Sequence, residues 1–307
     1  MKKYLRMISP FNNESEMPKA LYVIKKVLAF ILIYIISSLL AEAIAIAAHF
    51  AIGLNPINGE MLSLQSMLLM KYYGFFIFSI LTMLYCKFVE KRTIKSMGFN
   101  RNIIGFLKGI LLATALLGLS LGFIVLTGNI TYNGISNNIN ITIIIAFLGA
   151  FIIQGAMEET MCRGFLMVSL SKKVTITTSI LISSILFSLP HFSSLFKNSL
   201  VYGIIGIINL LLVSAIFSLL MIKNKNIWVS CAIHSFWNFF LFNIVGLNLS
   251  GTDKLPAVFS FTLNENNIIN GGSYGIESSI ITTLVLAAFM ILLIFLIKRK
   301  RVKDIEF

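Results

Sequence analysis

Charge is the scarcest commodity in this chain. Only 12% of its 307 residues are Asp, Glu, Lys or Arg, where a soluble domain carries roughly 25%. That shortage excludes a water-facing surface around a single core. With 57% hydrophobic residues and a mean hydropathy of +0.90, it points to a membrane. Acidic groups are rarer than basic ones, 12 against 25, which leaves a net charge of +13. Such an excess would suit nucleic acid if it were gathered on one face. Here the basic residues sit at the ends of apolar runs, so nucleic acid is excluded as a partner and lipid surface takes its place. Cysteine is also sparse. Cys86, Cys162 and Cys231 are odd in number, lie in or beside apolar runs and form no CxxC, which excludes a disulfide framework or zinc finger. A cleavable leader is not expected either, because MKKYLR is followed by ISPFNNESEMPK where an apolar core is required. No internal repeat is visible.

What the chain does have is long apolar runs. A bilayer-crossing helix needs about 20 mostly apolar residues, and eight stretches qualify, at roughly 27–50, 70–87, 103–127, 141–168, 174–191, 199–222, 226–247 and 278–297. The links SLSKK (Ser169–Lys173) and KNKN (Lys223–Asn226) are short enough for tight antiparallel turns. With the N-terminus in the cytoplasm, inside segments carry 21 of the 25 basic residues and outside loops carry only Lys71, Lys197 and Lys254. Arg163 remains within a span. The positive-inside rule therefore selects eight spans with both termini cytoplasmic, in the cell membrane. The loop GNITYNGISNNIN and residues 248–278 read as solvated outer connections. GFLKG and GLSLG in the third span are GxxxG patterns that allow close helix packing. The fold class expected is an all-α, polytopic membrane helix bundle of about eight transmembrane helices, one integral membrane domain over 1–307. Heavy Ile, Asn and Lys usage points to a low-GC bacterial genome.

Within these runs a few polar side chains stand out, because a charge at a bilayer centre is costly unless paired or wetted. MEETMCRGF (Met157–Phe165) places Glu159 and Arg163 four apart on one helix face, as an ion pair. Glu158 lies about 100° away without an obvious partner, and is either protonated by burial or a base beside water. FSLPHF brings Phe187 and His191 four apart, with Pro190 kinking or ending the helix. CAIHSFWNF puts His234 and Asn238 on one face of the seventh run. Singly, each has a bland reading: a structural Glu–Arg pair, a satisfied interfacial histidine, amide glue between helices. Together they supply a base for water and donors for a developing oxyanion. Glu42 and His49, seven apart on the first run, either line an entrance or face polar headgroups, and the latter is the favoured reading. Trp228 reads as an inner-interface marker, and Cys162 and Cys231 as inert apolar packing.

EETMCR, FSLPH and HSFWN resemble, in order, the EExxxR, FxxxH and HxxxN motifs of the CPBP intramembrane proteases. That family includes the type II CAAX prenyl endopeptidases and bacterial Abi-type proteins. The resemblance spans roughly 140–245, the expected catalytic core. It implies that Glu158 and His191 hold and activate the attacking water, that His234 and Asn238 stabilise the oxyanion, and that Glu159 and Arg163 support the site. The family is described both as metalloproteases and as glutamate-type proteases. Zinc held by Glu158, His191 and His234 is one implied cofactor arrangement and metal-free hydrolysis is the other, with HExxH absent and Asn238 an unusual zinc ligand. The substrate is a peptide or membrane protein, cut near the cytoplasmic side.

Two other readings use the same residues: a non-enzymatic membrane protein binding a peptide or protein partner, such as a bacteriocin immunity or scaffolding factor, and an ion transporter. The absence of inverted-repeat symmetry argues against the transporter. Geometry sets a condition on the enzyme. At about 1.5 Å rise per residue, Glu158, His191 and His234 stand roughly 18, 26 and 12 Å above the inner ends of their straight helices. An irregular segment around Arg163–Leu170 is expected to help bring them together.

Overall fold

A computed structural model describes residues 16–100, 104–137, 139–197, 199–249 and 256–299. Eight helices in it are long and apolar enough to cross a membrane: α1 (Lys19–Ala51), α2 (Leu64–Val89), α3 (Ile104–Leu126), α4 (Ile141–Ser171), α5 (Ile176–Leu195), α6 (Leu200–Asn224), α7 (Trp228–Val245) and α8 (Ile280–Arg299). The expected all-α polytopic bundle is what forms. In hydrocarbon an unpartnered backbone amide costs several kcal/mol, so runs of this length close their hydrogen bonds within themselves. Polar residues mark several starts. Ser63, Asn140 and Thr175 accept from the amides of Ser66, Ile143 and Thr178 and so cap α2, α4 and α5.

α7 sits at the centre, against α3, α4 and α6, while α1 and α2 pack on the far side of α4 and α8 closes over α6 and α3. Glycines set the closest approaches. A Cβ on Gly109 would lie 2.5 Å from the carbonyl oxygen of Val229, and one on Gly155 would lie 2.8 Å from the amide nitrogen of Ser235. GFLKG is thus the α3–α7 contact. GLSLG is not a contact, since nothing lies within 4 Å of a Cβ built on Gly118 or Gly122.

The outer connections hold more order than their composition announces. Ile130–Ile135 (β1) and Phe259–Leu263 (β2) pair antiparallel. The strands are buttressed by amides: Asn264 reaches the Gly128 carbonyl, Asn267 donates to Asn129 Oδ1 at 2.6 Å, and Asn270 donates to the Asn129 carbonyl at 3.2 Å. A turn-rich loop composition conceals such long-range pairing.

The basic ends of the helices meet at the opposite end of the bundle, as the charge alternation requires. Calls on Lys2, Lys3, Arg6, Arg101 and the basic residues beyond 299 lie outside the described residues. α1 begins eight residues before the apolar run does, because its lysines are matched. Lys26 Nζ lies 2.6 Å from Glu90 Oε1 and Arg92 Nη1 lies 3.0 Å from Glu90 Oε2, all three side chains being buried. Ser169 Oγ donates to Glu90 at 2.6 Å, Tyr22 donates to the Ser169 carbonyl at 2.7 Å, and Arg92 Nη2 donates to the Gly164 carbonyl at 3.0 Å. The segment after α2 also crosses the α6–α7 turn, where Trp228 Nε1 donates to the Asn100 carbonyl at 2.8 Å. Trp228 therefore marks this end, as its position in the sequence implied.

Burial raises the Glu90 pKa, but Lys26 and Arg92 together with the hydrogen bonds from Lys26 and Ser169 outweigh it and hold this carboxyl below the usual range. A carboxyl lowered in the folded state contributes stability above its unfolded pKa of about 4.3 and loses it as pH falls through the native value. Glu90→Gln leaves two buried cations short of a partner, and we expect a loss of about 3–5 kcal/mol at neutral pH. Thermal unfolding in detergent checks this. The variant should melt well below wild type at pH 7, and the gap should close as the medium is acidified below pH ~4. A constant gap at every pH would refute the account.

Candidate active site

The fourth helix carries its acids on the last regular turn before an irregular one. From Thr160 to Met167 the backbone is wound as a π-helix before α-geometry resumes at Val168. Such turns widen the helix, shift its face and concentrate at functional sites. The irregularity expected at Arg163–Leu170 is present, begins three residues earlier and widens the helix instead of breaking it. Two carbonyls of this stretch have side-chain partners. Ser183 Oγ donates to Cys162 O at 2.8 Å, and Arg92 to Gly164 O.

Glu159 and Arg163 point into protein and are fully buried. Arg163 Nη1 lies 2.8 Å from Glu159 Oε1, and Nη2 donates to the Ser214 carbonyl at 2.9 Å and to Ser214 Oγ at 2.6 Å. The guanidinium lies between two aromatic faces, 4.7 Å from the Phe187 centroid and 5.2 Å from that of Phe217. A paired charge can be buried where a lone one cannot, although Glu159 Oε2 and Arg163 Nε are buried without a hydrogen bond among the described residues.

Glu158, on the neighbouring face, is only partly buried and lines a cavity of about 760 Å³, within the range of ligand sites. Its Oε1 accepts from Gln154 Nε2 at 3.2 Å, and Gln154 Oε1 accepts from Asn238 Nδ2 at 3.2 Å. His234 stands between the two acids. Its Nδ1 is 3.2 Å from Glu159 Oε1 and its Nε2 is 3.9 Å from Glu158 Oε2, while Phe217 stacks on the ring at 5.5 Å. His191 faces the same cavity, with Nδ1 buried and unpartnered. Phe187 links the imidazoles, 5.7 Å from His191 and 5.8 Å from His234.

The six side chains singled out in the sequence therefore gather around one cavity and its wall. The depth problem resolves by register. A Cβ on Gly164 would touch Ile227 Cδ1 at 3.6 Å, so α4 runs past the start of α7. Counting from that level, Glu158 is six residues up and His234 seven, or about 9 and 10.5 Å. His191 is eight residues beyond Ser183, which is level with Cys162, so it sits some 6 Å nearer the cavity mouth than Glu158. Among the described residues no three His, Cys, Asp or Glu side chains stand as a metal-binding group.

Three participants were not picked out in the sequence. Gln154 lies four residues before Glu158, and a lone amide on the same face of an apolar helix was the available signal. Ser214 and Phe217, three apart on α6, carried no signal of their own. Glu42 and His49 were misread as facing headgroups, since both line the cavity. His49 accepts from the Leu62 amide through Nε2 at 3.4 Å while Nδ1 donates to the Ala45 carbonyl at 2.8 Å, which ties the α1–α2 loop to the mouth.

Residues 140–240, from α4 to α7, match the family described as Type II CAAX prenyl endopeptidase Rce1-like. No curated protein and no solved structure gives a match. The matched third of the chain contains all three motifs and all six site residues. Over that third the chain is similar to the type II CAAX prenyl endopeptidases of the Rce1-like family.

Proposed function

We propose that the chain hydrolyses a peptide bond with a water activated by Glu158. The observation that carries this reading is a half-buried carboxylate on a cavity wall, 3.9 Å from an imidazole that a second carboxylate holds in place. Glu159 is paired with Arg163 and acts as acceptor, so His234 Nδ1 bears the proton between them. With Glu158 on its other side, a proton on Nε2 would make that nitrogen a donor into the cavity.

Water between Glu158 and the substrate carbonyl gives its proton to Glu158, and its oxygen bonds to the carbonyl carbon. The oxyanion formed takes hydrogen bonds from His234 Nε2–H and from the Asn238 amide hydrogen not engaged by Gln154. As the C–N bond breaks, protonated Glu158 returns its proton to the leaving amine, and a carboxylic acid and an amine result. Gln154, tethered to Asn238, orients Glu158. His191, nearer the mouth, assists in holding the water or the incoming carbonyl.

Purified protein incubated with a peptide library in ¹⁸O-labelled water tests the reaction. We expect cut peptides with one labelled oxygen in each new C-terminal carboxyl group. Folded protein that cleaves nothing across the library would overturn the proposal in favour of a binding role.

A further inference from the structure

The cavity is lined by helix ends opposite the basic ones, and we propose that substrate reaches Glu158 from there, on the non-cytoplasmic side of the membrane and not the cytoplasmic side expected from the sequence. This rests on the proposed hydrolysis and adds the side and class of its substrate. His49 at the end of α1, Met61 before α2, Ser194 at the end of α5, Leu249 after α7 and Glu277 before α8 all line the cavity. Each lies at the end of its helix away from Lys19, Arg92, Ser171 and Asn226. Toward that basic end the cavity floor is Met161 and Cys162. Below them lie Phe165, Leu166 and Met97, each 0% exposed, and Tyr85 edge-on to Phe165 at 5.1 Å. The Lys26–Glu90–Arg92–Ser169 network seals the end beneath. A peptide arriving from the basic side would have to unpack that plug and strand buried charges.

Among the described residues 14 basic side chains belong to the sealed end and only Lys71 and Lys197 to the open end, so the positive-inside rule makes the open end non-cytoplasmic. The substrate class is therefore an extended segment of an exported or membrane-anchored polypeptide. The walls on the way in, Tyr34, Phe75, Phe78, Leu116 and Leu210, favour apolar side chains beside the cut bond.

Cysteine labelling tests the side independently of catalysis, because the native Cys86, Cys162 and Cys231 are buried. Lys71→Cys at the mouth and Lys95→Cys at the basic end are exposed positions. In intact cells a membrane-impermeant maleimide should label Lys71→Cys, and Lys95→Cys only after permeabilisation. The reverse pattern would overturn the proposal. Sealed right-side-out vesicles given a peptide that the detergent-purified protein cuts should cleave it from outside, at least tenfold faster than inside-out vesicles. The opposite ratio would overturn the side of access while leaving hydrolysis intact. Absence of cleavage in detergent would instead remove the hydrolytic reading and leave the labelling result standing.

Discussion

Glu158→Gln should lower kcat by about 10²–10⁴-fold while leaving KM and thermal stability close to wild type. Glutamine has nearly the same shape, and its carbonyl oxygen still accepts from Gln154 Nε2, the 3.2 Å hydrogen bond that positions Glu158. What it lacks is a lone pair basic enough to take a proton from water. The side chain is only partly buried and carries no ion pair tighter than the 3.9 Å approach of His234, so removing its charge leaves no deeply buried cation unmatched. Loss of turnover with retained melting temperature separates chemistry from folding. Turnover within a few-fold of wild type would refute Glu158 as the base. A protein that only binds a peptide would keep its phenotype with glutamine here, so the same variant discriminates between the two readings.

Arg163→Met should be the most damaging change to stability outside the backbone. Arg163 is fully buried, and its substitution leaves Glu159 ionised in an apolar interior with only His234 beside it. It also strips two hydrogen bonds from Ser214 and empties the slot between Phe187 and Phe217. Removing one partner of a buried pair costs about 3–5 kcal/mol, which translates to a fall in Tm on the order of 10 °C. Adding Glu159→Gln removes the stranded charge, so the double variant should recover part of the loss, the signature of coupling between contacting groups. Activity should not return with it, because His234 loses the carboxylate that holds its Nδ1 proton. An unchanged melting temperature in Arg163→Met, or purely additive losses, would contradict the pairing.

The bundle and the gathering of polar side chains around one cavity were legible in the sequence for different reasons. Spans announce themselves because hydrocarbon imposes length and apolarity on a local window, and the pairing of Glu159 with Arg163 follows from helix geometry alone. Ser214 and Phe217 belong to the site only through register between helices, which no local pattern encodes, whereas Gln154 sits one turn before Glu158 on the same helix. The same holds for Lys26, whose partner Glu90 is 64 residues away and lets α1 continue helical through a lysine-rich stretch. Glu42 and His49 were placed on the right helix and the right face, but toward the wrong medium, because a cavity between helices and a lipid headgroup layer look alike from one strand of sequence. The three unequal depths computed for straight helices were a correct warning about His191, which does sit above the other two, and were resolved for Glu158 and His234 by the overhang of α4 past α7.

α7 is the shortest of the eight spans and among the least apolar, yet it is by far the most enclosed by its neighbours. A segment with that profile partitions weakly into lipid when it emerges from the translocon alone, and gains its place from helices already inserted. Glycines on α3 and α4, Gly109 and Gly155, are the surfaces it docks against. Biogenesis of this protein is thereby ordered: α3 and α4 wait in the membrane with one carboxylate partner missing, and the arrival of α7 brings His234 and Asn238 together with the acids. The proposed hydrolytic centre is therefore incomplete on the nascent chain until nearly four-fifths of it has been synthesised.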